Sequence, residues 1–227
     1  MEKIISVIMS VYNDSNNLES SISSILNQDF QDFEFLIMND GSTDNTENIL
    51  NKFSKDKRIK IFKNKKNLGL TKSLNLLLTE SKGPYIARQD SDDLSVSERF
   101  AKQLNFIESN NLDLCGSRAI IKGTTKVTPN RSYYLPLNIS LKIKNPFIHG
   151  SLIFKKSVVE KINNYDERFK YSQDYKLIKD AFLEGFSLGI IKEPLYVLNL
   201  ENNISTNFKE KQKYYANCVK NNKVPHE

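Results

Sequence analysis

The sequence predicts an α/β protein with a mostly parallel central sheet flanked by helices. Apolar runs of strand length alternate with segments whose apolar residues recur at helical spacing. Polar clusters follow several of the predicted strands, and ligands of parallel sheets bind beyond the carboxyl ends of the strands. A chain of 227 residues is long enough for one such domain with an appendage.

Four predicted strands alternate with three predicted helices in the first half of the chain. Apolar residues at Leu18, Ile22 and Ile25 share one face of a helix. The sequence Gly83-Pro84 ends the third helix, because proline cannot continue it. The strands are predicted over Ile4–Val11, Phe33–Met38, Arg58–Phe62 and Tyr85–Arg88, and the helices begin near Leu18, Ser42 and Leu70.

The second half of the chain has a less regular pattern. Residues 123–138 are predicted to be loop-rich because they contain Pro129 and Pro136. From Asn202 the chain is polar and rich in lysine, which indicates a helix or a tail. Strands are predicted over Leu112–Ile121, Ser151–Phe154, Leu188–Ile191 and Leu195–Leu198, and helices over Ser97–Ile107, from Lys156, and over Tyr175–Leu183.

Composition excludes several classes of protein. Apolar residues make up 39% and charged residues 26%, a balance typical of soluble globular domains. No apolar run approaches the ~20 residues of a membrane-spanning helix, and no small-residue cleavage site follows the first strand. Cys115 and Cys218 are too few for a disulfide framework, so we expect a reducing, cytoplasmic compartment. The net charge of +6 is scattered along the chain, which does not support nucleic-acid binding.

Carboxylates follow two of the predicted strands. Asp90, Asp92 and Asp93 come after the fourth strand, where they could hold a hard divalent cation or could begin a helix. Asp40, followed by Gly41, could accept hydrogen bonds from a nucleotide or could be an ordinary turn residue. The glycine-rich motifs of P-loop and dinucleotide-binding proteins are absent from the sequence.

An ordered series of motifs resembles the family 2 glycosyltransferases of GT-A fold. The resemblance spans about residues 3–200, and processive synthases of this kind carry a Q-x-x-R-W motif that is missing here. The motifs are Ser6-Val7-Ile8-Met9-Ser10-Val11-Tyr12-Asn13, Asn39-Asp40-Gly41-Ser42-Thr43-Asp44, Asn67-Leu68-Gly69-Leu70, Ala87-Arg88-Gln89-Asp90-Ser91-Asp92-Asp93, His149-Gly150-Ser151, Asn164-Tyr165-Asp166-Glu167 and Gln173-Asp174-Tyr175-Lys176-Leu177.

The resemblance implies a role for particular residues. Asp174 matches the general base, and His149 matches a position near the acceptor, although a structural histidine would also fit there. Asp92, with Asp90 beside it, matches the ligand of Mn2+ or Mg2+ that bridges the donor diphosphate. The residues implied to bind the nucleotide-sugar are Val11, Tyr12, Asn13, Asp40, Asn67, Gly69, Asn75, Arg88, Asp90, Ser91 and Asp92.

Three positions depart from the usual family pattern. Ser10 stands where proline is usual, Asn39 where a first aspartate is common, and Gln173 where glutamate commonly precedes the base. The functional carboxylates Asp40 and Asp174 are retained. The resemblance therefore still implies an active enzyme.

The resemblance implies an inverting, non-processive transfer from a nucleotide-sugar, UDP-linked in our expectation, to a carbohydrate or lipid-linked acceptor in bacterial surface glycan synthesis. One GT-A domain would cover residues 1–200, with a nucleotide-sugar-binding half over 1–95 and an acceptor half over 96–200. The basic segment 201–227 could contact an anionic membrane, a second subunit of a homodimer or the domain itself. A non-catalytic nucleotide-sugar-binding partner and a nucleotidyltransferase remain as alternatives.

Overall fold

The computed structural model of the protein describes residues 5–201 and 208–226, except for the side chains of residues 131 and 132. The strands are β1 (Ile5–Val11), β2 (Phe33–Asn39), β3 (Ile59–Lys63), β4 (Tyr85–Arg88), β5 (Leu94–Ser95), β6 (Leu114–Ile121), β7 (Val127–Thr128), β8 (Ile153–Lys155) and β9 (Leu188–Leu198). The helices are α1 (Leu18–Leu26), α2 (Thr46–Phe53), α3 (Leu70–Glu80), α4 (Arg99–Ser109), α5 (Leu137–Ile143), α6 (Lys156–Ile162), α7 (Gln173–Leu183) and α8 (Lys209–Lys220).

The described strands form one sheet in the order β3-β2-β1-β4-β8-β6-β9-β5, with β7 paired to β6. Strands β1 to β4 pair in parallel, which brings the carboxyl ends of β1, β2 and β4 to one edge. Strand β8 is antiparallel to both β4 and β6, whereas β6 and β9 are parallel. The predicted α/β fold with its largely parallel sheet is confirmed, and the antiparallel pairs lie in its second half.

Helices cover both faces of the sheet. Successive side chains of a strand point to opposite faces, so both sets of side chains are buried. On β1, Ile5, Val7 and Met9 belong to a core cluster that they share with α1, α2 and α4. Ile8 of the same strand belongs to the opposite cluster, which contains residues of α3, α6, α7 and α8. Continuous apolar runs in the sequence are therefore explained by burial on two sides.

Two sequence predictions need correction. The segment 123–138 is loop-rich as predicted, although it also contains β7 and the start of α5. The two predicted strands on either side of Pro194 are one strand, β9, and a shift in its pairing register with β6 accommodates the proline. Helix α2 begins at Thr46, and Asp44 accepts a hydrogen bond from the Thr46 backbone at 3.0 Å.

The lysine-rich C-terminal segment contains helix α8, which packs on the domain. Lys179 of α7 donates a hydrogen bond to the Val219 carbonyl at 2.7 Å, and Ser172 donates one to the side chain of Gln212 at 2.9 Å. The part of the tail prediction that concerns residues 202–207 lies outside the described residues. Across residues 5–201 and 208–226, none of the helices combines the length and the apolar character that a membrane crossing requires.

Candidate active site

The loop after β1 is tied to the loop after β2. The Asn13 backbone has a positive φ of 52°, and its N–H donates to Ser42 Oγ at 3.0 Å. The Asn13 side-chain oxygen accepts a hydrogen bond from the Thr43 N–H at 2.8 Å. Val11 is buried, whereas the Tyr12 side chain is 47% exposed and available to a ligand. These bonds fix the two loops at the carboxyl edge of the sheet before any ligand binds.

Asp40 organises the loop between β3 and α3. Its carboxylate accepts hydrogen bonds from the N–H groups of Leu68 and Gly69, both at 2.9 Å, and from the Asn64 amide at 2.7 Å. Gly41 is required at the next position, because its φ is +72° and a Cβ would lie 2.5 Å from the Lys66 carbonyl carbon. Asp40 is therefore buried and bonded to three donors within the protein, and its predicted contact with a nucleotide stays a prediction.

Asn75 and Asn67, both predicted to line the nucleotide, have different surroundings. Asn67 is exposed in the loop that Asp40 holds. Asn75 of α3 bonds the backbone of Tyr165, to whose carbonyl it donates at 2.9 Å and from whose N–H it accepts at 3.0 Å. The amide also donates to Glu167 at 3.2 Å. Asn75 thus positions Tyr165, and its predicted contact with the nucleotide stays a prediction.

The acidic segment after β4 concentrates negative charge. Asp92 lies near Asp90 and Asp14, and Lys122 offsets part of their charge. Burial and then the two neighbouring carboxylates raise the pKa of Asp92 to about 7. Ser91 donates a hydrogen bond to Asp14 at 2.7 Å, which ties the segment to the loop after β1.

Asp93, the last carboxylate of the segment, has a structural function. It is buried, and its carboxylate accepts a hydrogen bond from the Asn199 N–H at 2.6 Å. Burial, followed by the charges of Asp90 and Asp92, raises the pKa of Asp93 to about 9. Asp93 thus anchors the acidic segment to the residues that follow β9.

A chain of hydrogen bonds links Asp90 to Tyr165. The buried Arg88 guanidinium donates to Asp90 at 2.5 Å, to the Ile8 carbonyl at 2.7 Å and to His149 Nε2 at 3.3 Å. Tyr165 Oη lies 2.8 Å from the same His149 nitrogen. An arginine Nε–H can only donate, so His149 Nε2 must accept, and the imidazole proton is on Nδ1. Burial, with the nearby Arg88 charge, lowers the pKa of His149 to about 3.

Asp174 lies at the start of α7 and faces the same region. Burial raises its pKa, and the negative charge of Asp90 contributes to the increase. The Asn145 side chain donates a hydrogen bond to Asp174 Oδ2 at 2.7 Å, and the Phe147 N–H in turn fixes Asn145 at 3.0 Å. A half-buried carboxylate with a raised pKa can accept a proton at neutral pH, as a general base must.

The structure places several residues in this region that were not among the predicted site residues. Asp14 follows the first predicted strand within the polar cluster Tyr12-Asn13-Asp14, and this position could have indicated that it belongs to the site. Tyr196 reaches the site from β9, and its hydroxyl accepts from the Asp90 N–H at 3.2 Å. Asn145 and Lys122 lie in segments with no motif, and only the fold brings them to the carboxylates.

The donor set suits a hard divalent cation. Among the described residues, no three His, Cys, Asp or Glu side chains converge as a complete set of metal ligands. Asp92 and Asp90 nevertheless supply carboxylate oxygens in a negatively charged environment that a cation would relieve. Mg2+ is commonly bound by one or two carboxylates together with substrate phosphates, so an incomplete protein shell fits such a site.

Solved structures share this fold across nearly the whole chain. The structure of S. aureus TarS 1-349 in complex with UDP-GlcNAc superposes with a TM-score of 0.77 at 20% identity and covers 98% of this chain and 68% of that one. The mannosyltransferase PcManGT from Pyrobaculum calidifontis, in complex with GDP-Man and Mn2+, has a TM-score of 0.72 at 16% identity and covers 99% of this chain and 66% of its own. The chain therefore spans about two thirds of these structures, and the likeness defines its fold as GT-A.

The sequence comparison identifies the family. Residues 6–163 match the model of glycosyl transferase family 2, and the chain belongs to that family. EpsE of Bacillus subtilis is 34% identical over 198 residues, which are 85% of this chain and 71% of EpsE. The O-antigen biosynthesis glycosyltransferase WbnJ of Escherichia coli is 36% identical over 180 residues, which are 77% of this chain and 70% of WbnJ. The predicted family and enzyme class are confirmed, and glycosyl transfer is favoured over the two alternatives.

Proposed function

We propose that this glycosyltransferase transfers one sugar from a UDP-linked donor to a carbohydrate or lipid-linked acceptor, with inversion and without processive polymerisation. The observation that carries the proposal is the position of Asp174, at the start of α7 and within electrostatic reach of Asp90. This arrangement would hold a base opposite the residues that bind the departing diphosphate. The name of WbnJ, an O-antigen biosynthesis glycosyltransferase, supports a setting in bacterial surface glycan synthesis. The proposal extends to a location at the cytoplasmic side of the membrane.

The reaction follows from these positions. Asp174 takes the proton of the acceptor hydroxyl, and the hydroxyl oxygen attacks the anomeric carbon as the bond from that carbon to the diphosphate breaks. General base catalysis of this kind contributes about 10²–10⁴-fold. The Asn145 amide orients the Asp174 carboxylate, and Arg88 orients Asp90. Mn2+ or Mg2+ held by Asp92 and Asp90 would supply a Lewis acid for the charge on the leaving diphosphate.

The donor side of the proposal has its own support. Tyr12, Asn13, Asn67 and Gly69 lie on loops at the carboxyl edge of the sheet. Ser42 accepts a hydrogen bond from the Asn13 N–H in one of these loops, and Asp40 accepts one from the Gly69 N–H in the other. Such preorganisation lowers the entropic cost of binding a nucleotide there. TarS has been solved with UDP and with UDP-GlcNAc, which supports a uridine nucleotide as the first donor to test.

Calorimetry with a panel of UDP-, GDP- and dTDP-sugars, in Mn2+ and then in EDTA, tests the proposal. We expect one UDP-sugar to bind in Mn2+ and to lose most of its affinity in EDTA. Incubating that donor with candidate acceptors and assigning the anomeric configuration of the product by NMR then tests inversion. Folded protein that binds none of the donors, or a product that retains the donor configuration, would contradict the proposal.

A further inference from the structure

Helix α5 and the residues just before it expose large apolar side chains. Tyr134 is 67% exposed, Leu135 44%, Ile139 44% and Ile143 53%. We call these four residues, together with Lys142 and Lys144, the α5 face. Four large apolar residues exposed within ten positions are unusual, because isolated apolar side chains are normal on a surface but contiguous ones mark a binding site.

The apolar residues of the α5 face are not needed for the core. Helix α5 buries Leu141 and packs Leu137 against the core cluster that also contains residues of α8. The Tyr175 hydroxyl fixes the helix further by donating a hydrogen bond to the Leu141 carbonyl. At about 100° per residue, Ile139 and Ile143 lie roughly opposite Leu137 and Leu141. The helix is therefore apolar on two sides, and only one of them has a partner within the described chain.

Lysines flank the apolar residues of the α5 face along the chain. The sequence contains no Asp or Glu from residue 114 to residue 159, a stretch with eight lysines and arginines. Lys142 and Lys144 are exposed and have no ion-pair partner among the described residues. Helix α8, which carries the exposed Lys211 and Lys213, packs beside α5. Exposed apolar residues flanked by lysines are typical of surfaces that lie in the interface of an anionic bilayer.

The α5 face lies next to the candidate base. Ile143 is two residues before Asn145, the side chain that donates to Asp174. Two residues span at most about 7 Å of chain, so a molecule held at the end of α5 would be near the acceptor side of the active site. This placement suits an acceptor whose lipid stays in a membrane while its sugar reaches Asp174.

We propose that the α5 face binds the surface of an anionic lipid bilayer. The link to a lipid-linked acceptor rests on the proposed function, but binding to the bilayer does not. A second copy of the chain is a poorer occupant, because a two-fold interface through this face would bury Lys142 and Lys144 of both subunits, and residues 114–159 contain no Asp or Glu to pair with them. Apolar insertion together with lysine attraction fits the anionic headgroups of a bilayer.

Co-sedimentation of the full chain with vesicles tests the proposal. Vesicles of phosphatidylcholine alone are compared with vesicles that also contain phosphatidylglycerol, and we expect binding to the second kind. The double variant K142Q/K144Q should bind about 30-fold more weakly, since each lysine near an anionic surface contributes about fivefold. The double variant I139S/I143S should bind about tenfold more weakly, because less apolar surface is inserted.

Matched controls test whether vesicle binding depends on the α5 face itself or only on the overall charge and exposed apolar surface of the protein. K55Q/K57Q removes two exposed lysines from the turn before β3, and Leu183→Ser removes a 62% exposed leucine from α7. Both should bind vesicles like the wild type. Equal binding by wild type and both α5 variants would overturn the proposal. It would also be overturned if I139S/I143S converted a dimer to a monomer in sedimentation velocity without changing vesicle binding, which would make the face a subunit interface.

The proposed function and the bilayer proposal fail separately. A wild-type chain that binds anionic vesicles through α5 but binds no nucleotide-sugar would refute the donor assignment and leave the bilayer surface intact. A chain that binds the donor in Mn2+ but does not bind anionic vesicles would refute the bilayer proposal alone.

Discussion

Two carboxylates at the same edge of the sheet have opposite environments. Asp40 accepts hydrogen bonds from Asn64 and from the backbone N–H groups of Leu68 and Gly69. Asp92 instead lies near Asp90 and Asp14, and its pKa is raised to about 7 by burial and by these charges. The first carboxylate has its partners within the protein, whereas the second has a negative environment that favours a cation from solution.

The same contrast holds for the two sides of the site. On the donor side, hydrogen bonds among Asn13, Ser42 and Thr43 join the loops after β1 and β2. On the reaction side, burial raises the pKa of Asp174, and the negative charge of Asp90 adds to the increase. The loops of the donor side are thus held together by hydrogen bonds within the protein. Two carboxylates of the reaction side have raised pKa values, and we expect the bound cation and the acceptor proton to neutralise their charge. The following experiments test that division.

The largest effect is expected for Asp174→Asn. The amide keeps the shape of the carboxylate but cannot take the acceptor proton, so the transfer rate should fall about 10²–10⁴-fold. Donor affinity measured by calorimetry should stay within about twofold, because the base lies on the acceptor side. In the wild type, the rate should fall as pH decreases through the raised pKa of Asp174, since protonation removes the base.

Asp180→Asn is the matched control for Asp174→Asn. Asp180 lies on the same helix and pairs with Lys176 at 2.6 Å, without a contact to the carboxylate cluster. It should transfer sugar at close to the wild-type rate. Near-normal transfer by Asp174→Asn would remove Asp174 from the role of base.

Asp40→Asn should reduce stability by about 3 kcal/mol. The amide would turn an NH₂ group toward at least one of the N–H donors of Leu68 and Gly69, and hydrogen bonds to a charged group are worth about 1.5–3 kcal/mol. Urea unfolding at neutral pH measures the loss. Asp29→Asn removes one exposed carboxylate from the loop after α1 and should leave stability nearly unchanged. An unaltered midpoint for Asp40→Asn would show that the loop is held by other contacts.

Asp92→Asn should have the opposite effect on stability. Because the pKa of Asp92 is raised in the folded protein, its charge destabilises that state above the pKa. Removing the charge should therefore stabilise the metal-free protein by about 1 kcal/mol or more at mildly alkaline pH. The same variant should lose at least about tenfold in Mn2+-dependent donor affinity. Unchanged affinity in Mn2+ would place the cation elsewhere, and lower stability would contradict the repulsion among the carboxylates.

The sequence alone predicted the donor side better than the reaction side, for a physical reason. The runs Phe33–Met38 and Tyr85–Arg88 became β2 and β4 within one residue, because strands buried on both faces read as continuous apolar segments. Helix α5 was missed because its residues are apolar on two sides and lack a capping signal. Asn145 and Tyr196 reach Asp174 and Asp90 through long-range packing, which no local pattern encodes.

His149 tests how the stability of the buried network depends on pH. Its pKa is lowered to about 3 by burial and by Arg88, whereas an unfolded histidine titrates near 6.5. The unfolded chain therefore binds more protons below about pH 6.5, so the contribution of neutral His149 is complete above that value and is lost as pH falls toward 3. As the pH falls from about 7.5 to about 5.5, the titration of His149 should lower the free energy of unfolding of the wild type by about 1.4 kcal/mol.

His149→Gln should remove that part of the pH dependence, because its amide does not titrate. The measurement is urea unfolding of both proteins at the two pH values, and the difference between them cancels the titration of the carboxylates. His226→Gln is the matched control, since His226 is the other histidine of the chain and is exposed near the C-terminus. It should keep the wild-type slope. Equal slopes for wild type and His149→Gln would mean that His149 accepts a proton in the folded state, and Arg88 could then no longer donate to its Nε2.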